Sequence, residues 1–189
     1  MAQQSQMVEL GSAMPTFALP NVRTGDVVRS SDLASRVNVV AFICNHCPYV
    51  KRIADGLALF GRHVANDGRV AMVAISSNDA EAYPDDAPAK LAVEADDRGY
   101  AFPVLYDETQ EVAAAFHAAC TPDFFVYDDE HRLVYRGRFD EATPGNDVEV
   151  TGEDLRHAVR ATLVGEPVDD QVPSMGCGIK WIPGNEPAQ

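Results

Sequence analysis

The chain has 189 residues, of which 46% are hydrophobic and 23% charged; these values are ordinary for one globular domain and exclude disordered and fibrous classes. Acidic residues outnumber basic residues by 29 to 15, which gives a net charge of −14, and a surface of that charge repels nucleic acids and anionic membranes. No apolar run approaches the ~20 residues of a membrane span, so we expect no membrane partner.

The polar N-terminal segment, residues 1–10, has neither the basic region nor the apolar centre of a secretory signal. We therefore expect the protein in the cytoplasm, where its four cysteines are more often redox-active, metal-binding or buried than joined in bridges. Residues 15–33 contain short apolar stretches at 17–19 and 27–28 on either side of a turn. This pattern predicts a hairpin that precedes the first core strand.

Strands and helices alternate along the centre of the chain. Residues 37–43 form an apolar run rich in β-branched side chains, which predicts a strand buried on both faces. Apolar residues then recur every three or four positions from Val50 to Val64, which predicts a helix with Pro48 in its first turn. The other predicted elements are strands over 70–75, 102–106, 124–127 and 133–136, and helices over 88–98, 109–119 and 151–165.

This order of elements predicts a mixed α/β fold, in which a mixed central sheet is flanked by helices. Asp85 and Asp86 are predicted to cap the second helix. We expect a single domain with a core over 37–164, an N-terminal extension over 1–36 and a tail over 165–189. The tail is rich in Pro and Gly, and its sequence predicts no definite element.

Cys44 and Cys47 are separated by two residues where the first core strand meets the first helix. Two thiols at this spacing lie close enough to form a disulfide, and a helix N-terminus lowers a thiol pKa from its usual ~8.5. One thiol then attacks at neutral pH and the other resolves the mixed disulfide. The alternatives are two inert buried thiols or, together with His46, the beginning of a zinc site. Because Cys120 and Cys177 stand alone and form no second pair, no metal is predicted.

His46 directly precedes Cys47 in the chain. An imidazole at this position is expected to stabilise a thiolate on Cys44 and so to make the pair more oxidising. The alternative is a solvated histidine with no effect on the pair.

Three segments resemble those of a peroxiredoxin-like branch of the thioredoxin-fold proteins, the redoxin or AhpC/TSA-related family. They are residues 42–50 (FICNHCPYV), 120–125 (CTPDFF) and 174–181 (SMGCGIKW), which together span most of the chain. The resemblance implies a thioredoxin-like three-layer sandwich with an N-terminal hairpin extension, and no bound cofactor. It also implies that Thr121 precedes a cis Pro122 facing the cysteine pair, and that this segment binds an extended substrate.

The chain departs from both kinds of relative near the cysteine pair. Thioredoxins usually have Trp before the first cysteine, where this chain has Ile43. When Cys47 is aligned with the peroxidatic cysteine of peroxiredoxins, Cys44 replaces their Thr, and no Arg occupies the position of theirs. The resemblance therefore favours disulfide exchange over peroxide reduction.

The two single cysteines each leave two interpretations. Cys120 adjoins the expected cis proline and is either a third redox thiol or a small buried residue. Cys177 lies in a glycine-flanked tail segment that is able to fold over the site, where it either resolves a disulfide or stays dormant.

Three hypotheses follow from these residues. The first is a thiol–disulfide oxidoreductase in which Cys44 attacks and Cys47 resolves, with a protein or small-molecule disulfide as substrate and a thiol as reductant. The second is an antioxidant thiol peroxidase in which Cys47 attacks a peroxide. The third is a redox-silent thioredoxin-fold binding module. The sequence does not predict an oligomeric state.

Overall fold

The structure of the protein, a computed structural model, describes residues 2–187. The helices in this range are α1 (Pro48–Asn66), α2 (Pro88–Arg98), α3 (Glu111–Ala115) and α4 (Glu153–Val164). The strands are β1 (Ala2–Gln4), β2 (Ala18–Pro20), β3 (Val27–Arg29), β4 (Val37–Phe42), β5 (Val70–Ser76), β6 (Val104–Tyr106), β7 (Cys120–Thr121), β8 (Asp123–Tyr127), β9 (Leu133–Gly137) and β10 (Met175–Gly178). Within this range, no helix combines the length and the apolar character that crossing a membrane requires.

A five-stranded sheet with the order β6-β5-β4-β8-β9 forms the centre of the molecule. β4, β5 and β6 run parallel to one another, whereas β8 and β9 are antiparallel additions. The predicted mixed sheet and its terminal hairpin are therefore confirmed. β6 begins later than predicted, because Pro103 has no N–H with which to join the strand ladder.

Both faces of β4 are buried, as predicted, and each face belongs to a different core. Val39 and Ala41 face a core built with α1, α2 and α4. Val40 and Phe42 face a second core built with α3 and the N-terminal segment. The sheet is thus the middle of three layers, and the predicted α/β sandwich is confirmed.

The predicted N-terminal hairpin is also confirmed, since β2 and β3 pair antiparallel. Leu19 of β2 enters the second core, which fastens the extension to the sheet. At the other end of the core, α4 stops at Gly165 with a left-handed φ of 75°, as its sequence predicts.

Two local predictions are wrong. The helix predicted over 109–119 is only the short α3, because His117 adopts a φ of 51° and turns the chain out of the helix. Asp85 and Asp86 do not cap α2, whose N-cap is Ala87 without a side-chain hydrogen bond. Asp86 is instead completely buried and receives hydrogen bonds from another part of the chain.

The tail forms a strand that its sequence did not reveal. β10 is the middle strand of a second sheet with the order β1-β10-β7, and both pairings are antiparallel. The tail therefore packs directly against the residues that precede Pro122.

We predict that the core beneath α1 dominates stability. Leu57 is fully buried in the first core, whereas Leu59 on the same helix is 44% exposed. Leu57→Ala is expected to lower the free energy of unfolding by about 2–5 kcal/mol, because it removes buried contacts and leaves a cavity. The matched control, Leu59→Ala, is expected to change it by no more than about 0.5 kcal/mol. Denaturant titration measures both values, and equal losses would contradict this packing.

Candidate redox site

The cysteine pair lies at the junction of the central strand and the first helix. Cys44 follows β4 by two positions, and Cys47 is the N-cap residue of α1. Pro48 occupies the first helical turn, where its fixed φ favours the helix and its missing N–H costs no hydrogen bond. The sequence prediction for this junction is confirmed, and both sulfurs are free thiols.

Both thiols of the pair are shielded from solvent. Cys44 is 2% exposed and Cys47 is fully buried. Because both sulfurs are buried, a bulky disulfide cannot reach either of them directly in this conformation.

Thr121 contacts both sulfurs. Its Oγ1 lies 3.2 Å from Cys44 Sγ, and its carbonyl oxygen accepts a hydrogen bond from the Cys47 thiol at 3.1 Å. The Thr121-Pro122 peptide bond is cis, as the resemblance implied. Both residues that were predicted to bind substrate therefore lie beside the pair, although β10 already pairs with the strand that contains Thr121.

The two thiols have opposite pKa shifts. The pKa of Cys47 is lowered to about 5, chiefly because the Cys44 thiol donates to its sulfur, helped by the backbone N–H groups of Val50 and Cys177. The pKa of Cys44 is raised because its proton is held by Cys47, because it is buried, and because the charge of Asp86 is near. Cys47 is therefore the thiol that ionises, although ionisation gives up its own bond to Thr121.

His46 is held by a buried carboxylate. Its Nδ1 lies 2.5 Å from Asp86 Oδ2, and its ring stacks on that of Tyr83 with centroids 5.1 Å apart. The predicted support of a Cys44 thiolate by His46 stays a prediction. The contact that the structure gives this imidazole is with Asp86.

Asp86 is the site residue that sequence reasoning missed. Its Oδ1 accepts the backbone N–H of Asn45 at 2.7 Å and that of His46 at 3.2 Å. Its Oδ2 accepts the side-chain amide of Asn78 at 2.8 Å. The bonds to Asn45 and His46 fix the turn between the two cysteines. Local sequence carries no signal for them, because they join residues about 40 positions apart.

The same network reaches the tail. Asn78 accepts the backbone N–H of Lys180 at 2.8 Å, and Gln110 donates to the Lys180 carbonyl at 2.8 Å. The tail and the cysteine turn are thus held by one set of buried polar groups.

Cys44, His46 and Asp86 offer three potential metal-ligand atoms that lie within 4.8 Å of one another. Both oxygens of Asp86 already accept hydrogen bonds from protein donors, and His46 Nδ1 is one of the donor positions. A cation would have to displace the His46 contact. These hydrogen bonds account for the cluster without a metal.

The two single cysteines occupy different environments. Cys177 lies in β10 opposite Thr121, is partly exposed, and packs against the core cluster that contains Cys44 and Cys47. Cys120 is fully buried, and its sulfur is 3.9 Å from the Pro122 carbonyl oxygen. Burial also raises the pKa of Cys120. The structure therefore brings Cys177 to the pair and keeps Cys120 as an enclosed thiol.

A cavity of about 190 Å³ adjoins the site. It lies between α1 and the tail, and its lining includes Tyr49, Pro122 and Met175. Among the described residues that line it, none is a cysteine. This cavity therefore offers an approach to Pro122 but no direct approach to a sulfur.

Comparison with known proteins places this site in context. The model of the AhpC/TSA family matches residues 10–136. An uncharacterized conserved protein from Geobacillus kaustophilus has 49% identity and a TM-score of 0.95, and the match covers 97% of this chain and 98% of that one. No curated protein gives a significant match.

More distant solved structures share the fold. A putative thiol:disulfide interchange protein DsbE from Chlorobium tepidum matches with a TM-score of 0.63 and 19% identity, covering 83% of this chain and 99% of that one. Peroxidoxin BcpB from Mycobacterium tuberculosis matches with a TM-score of 0.60 and 19% identity, covering 84% and 98%. The thioredoxin-like fold that the sequence implied is confirmed.

We predict that the reduced protein contains one unusually acidic thiol. The pKa of Cys47 is lowered to about 5, so its thiolate absorbance is expected to appear well below neutral pH. Cys44→Ala is expected to raise that pKa, because it removes the largest stabilising donor. Cys47→Ser is expected to abolish this rise in thiolate absorbance, and Cys120→Ala is expected to leave it unchanged.

The lowered pKa of Cys47 also makes the stability of the fold depend on pH. Between about pH 5 and the unfolded value of ~8.5, the unfolded chain holds a proton that folded Cys47 has lost. The Cys47 contribution therefore increases stability as pH rises through this range and is lost as pH falls through about 5. A titration without any thiolate step below neutrality would contradict both expectations.

We also predict that Asp86 stabilises the cysteine turn. Asp86→Asn is expected to lower the free energy of unfolding by about 1–3 kcal/mol, because the amide replaces a buried carboxylate that accepts several hydrogen bonds. Asp85 is the matched control, since it is adjacent but exposed. Asp85→Asn is expected to stay within about 0.5 kcal/mol of the parent. Equal denaturation midpoints for the parent and Asp86→Asn would exclude this role.

Proposed function

The chain belongs to the AhpC/TSA family, and from this premise we propose that it is a thiol–disulfide oxidoreductase that uses the Cys44/Cys47 pair. The observation that carries the proposal is a pair of free thiols at the start of α1 that both contact Thr121. One thiol has its pKa lowered and the other has its pKa raised. This asymmetry supplies both requirements of exchange, a thiolate that attacks and a protonated thiol that later resolves.

We assign the attacking role to Cys47. The sequence prediction gave attack to Cys44, from the position of the pair at the junction of strand and helix. Here Cys47 is the N-cap residue, and hydrogen-bond donors lower its pKa. The pKa of Cys44 is raised by its hydrogen bond to Cys47, by burial and by the charge of Asp86. In the proposed reaction Cys47 attacks a disulfide sulfur, and Cys44 then attacks Cys47 and closes the internal disulfide. A thiol reductant reopens that disulfide.

The second candidate is a thiol peroxidase in which Cys47 reduces a peroxide. A thiolate directly before Pro48 at the start of α1 favours this function. The absence of an arginine contact to Cys44 or Cys47 among the described hydrogen bonds weighs against it. Stopped-flow consumption of hydrogen peroxide by the reduced protein decides between the two. A rate no faster than that of free cysteine would exclude the peroxidase.

The third candidate is a redox-silent binding module. It predicts that thiol counts stay unchanged when the protein is treated with a disulfide oxidant. Loss of two thiols on oxidation, with recovery on reduction, would exclude it.

We predict that turnover of a disulfide substrate requires both cysteines of the pair. Cys47→Ser is expected to reduce the rate by roughly a hundredfold or more, because it removes the attacking sulfur. Cys44→Ser is expected to stop turnover as well, but Cys47 should still be oxidised once, because only the resolving thiol is missing. Reduction of a disulfide-linked peptide pair measures the rates. Cys120→Ala is the control that should keep the parental rate, and full activity of Cys47→Ser would overturn the assignment.

A further inference from the structure

The burial of the pair raises the question of how a disulfide reaches it. Cys44 and Cys47 are at most 2% exposed, and the adjoining cavity reaches neither sulfur. All four cysteines of the chain lie within the described residues, and only Cys177 among them is partly exposed. A sulfur at the surface is thus available, but it belongs to the tail.

The tail strand occupies the place where an extended substrate would pair. β10 runs antiparallel to β7, with Cys177 opposite Thr121 and Gly178 opposite Cys120. Thr121 is also the residue that contacts both sulfurs of the pair. Because strand pairing is a general way to bind an extended peptide, β10 presents Cys177 to the pair as a bound peptide would present its own cysteine.

The glycines that flank Cys177 make this approach possible. A Cβ on Gly176 would lie 1.9 Å from the Thr121 carbonyl oxygen, a distance that no side chain tolerates. A Cβ on Gly178 would lie 2.5 Å from the side-chain oxygen of Gln3 in β1. The Gln3 side chain can move, whereas the Thr121 backbone cannot, so Gly176 is the glycine that lets β10 lie against Thr121 with Cys177 near the pair.

Cys177 packs against the core cluster that contains Cys44 and Cys47. Its backbone N–H and its thiol also help to lower the pKa of Cys47. Among the described residues, the hydrogen-bond partners of the Cys120 sulfur are instead the carbonyl oxygens of Pro122 and Ser174, at 3.9 and 4.0 Å. Of the two single cysteines, Cys177 is therefore the one that is both near the pair and partly exposed.

We propose that β10 is a built-in substrate strand and that Cys177 relays electrons between the buried Cys44/Cys47 pair and an external disulfide. This inference rests on the proposed function and adds a third thiol to it.

The relay consists of three exchange steps. The Cys177 thiolate attacks an external disulfide R–S–S–R, forms Cys177–S–S–R and releases the first R–S⁻, which takes up a proton. The Cys47 thiolate attacks the Cys177 sulfur, forms a Cys47–Cys177 disulfide and releases the second R–S⁻. Cys44 then attacks Cys47, forms the Cys44–Cys47 disulfide and releases Cys177, which takes up the proton that Cys44 loses. Two electrons pass from the pair to R–S–S–R, and a thiol reductant reverses the order.

The intermediate disulfide gives the first test. In Cys44→Ser the last step cannot occur, so treatment with oxidised glutathione is expected to trap a Cys47–Cys177 disulfide. Peptide mapping without reduction identifies the linked peptides, and adding Cys120→Ala leaves no other partner for Cys47. A stable glutathione adduct on Cys47 with Cys177 still free would overturn the relay, whatever the turnover rate.

The rate with a large substrate gives the second test. Cys177→Ser is expected to slow the reduction of a disulfide-linked peptide pair by roughly tenfold or more, because the peptide cannot reach Cys47 directly. Cys120→Ala is the matched control and should keep the parental rate. An unchanged or increased rate in Cys177→Ser would show that β10 only covers the site.

The two proposals fail differently. If the parent protein reduces disulfides and Cys177→Ser matches it, the relay is wrong and the proposed function stands. If the parent protein shows no exchange and Cys44 and Cys47 do not oxidise, the proposed function itself is wrong.

Discussion

The site depends on the close approach of Thr121 to the beginning of α1. That approach follows from the antiparallel pairing of β4 with β8, in which Phe42 lies opposite Asp123. The residues that follow β4 and those that precede β8 must then lie at the same edge of the sheet. The cysteine turn and the cis Pro122 segment meet there, and Thr121 lies within 3.2 Å of both sulfurs. The register of two central strands therefore sets the geometry of the chemistry.

The electrostatics of the pair are local rather than a property of the whole surface. A protein with a net charge of −14 disfavours an added thiolate. The main groups that lower the pKa of Cys47 are a neighbouring thiol and backbone N–H groups, not basic side chains. His46, the nearest basic side chain in sequence, is paired with Asp86 instead. Short-range donors in the buried site thus affect the pKa of Cys47 more than the surface charge does. Water screens the surface charge but does not screen the buried donors.

Much of the fold follows from local sequence patterns, and the remainder from long-range contacts. The strand at 37–43 and the helix from Pro48 are predictable because their apolar periodicity matches their burial. The cysteine pair is predictable because its motif is short and contiguous, and the proline opposite it because residues 120–125 resemble the redoxin family. β10 is not, since Met-Gly-Cys-Gly has weak strand propensity and pairs only because β1 and β7 are on either side. The local sequence predicts that Asp86 caps a helix, but its carboxylate accepts hydrogen bonds from the cysteine turn about 40 positions earlier in the chain.

The four cysteines show how position alone gives one residue type different chemistry. Cys47 receives donors and ionises, whereas its neighbour Cys44 supplies one of those donors and keeps its proton. Burial, followed by the charge of Asp123, raises the pKa of Cys120 and keeps it a thiol. Burial and contact with Cys47 raise the pKa of Cys177 to about 11, although it is the thiol that solvent reaches. Once Cys47 enters a disulfide, its negative charge is gone and one cause of that raised pKa disappears. Oxidation of the pair therefore makes the exposed thiol easier to ionise, which favours the return direction of the relay, in which Cys177 attacks the oxidised pair.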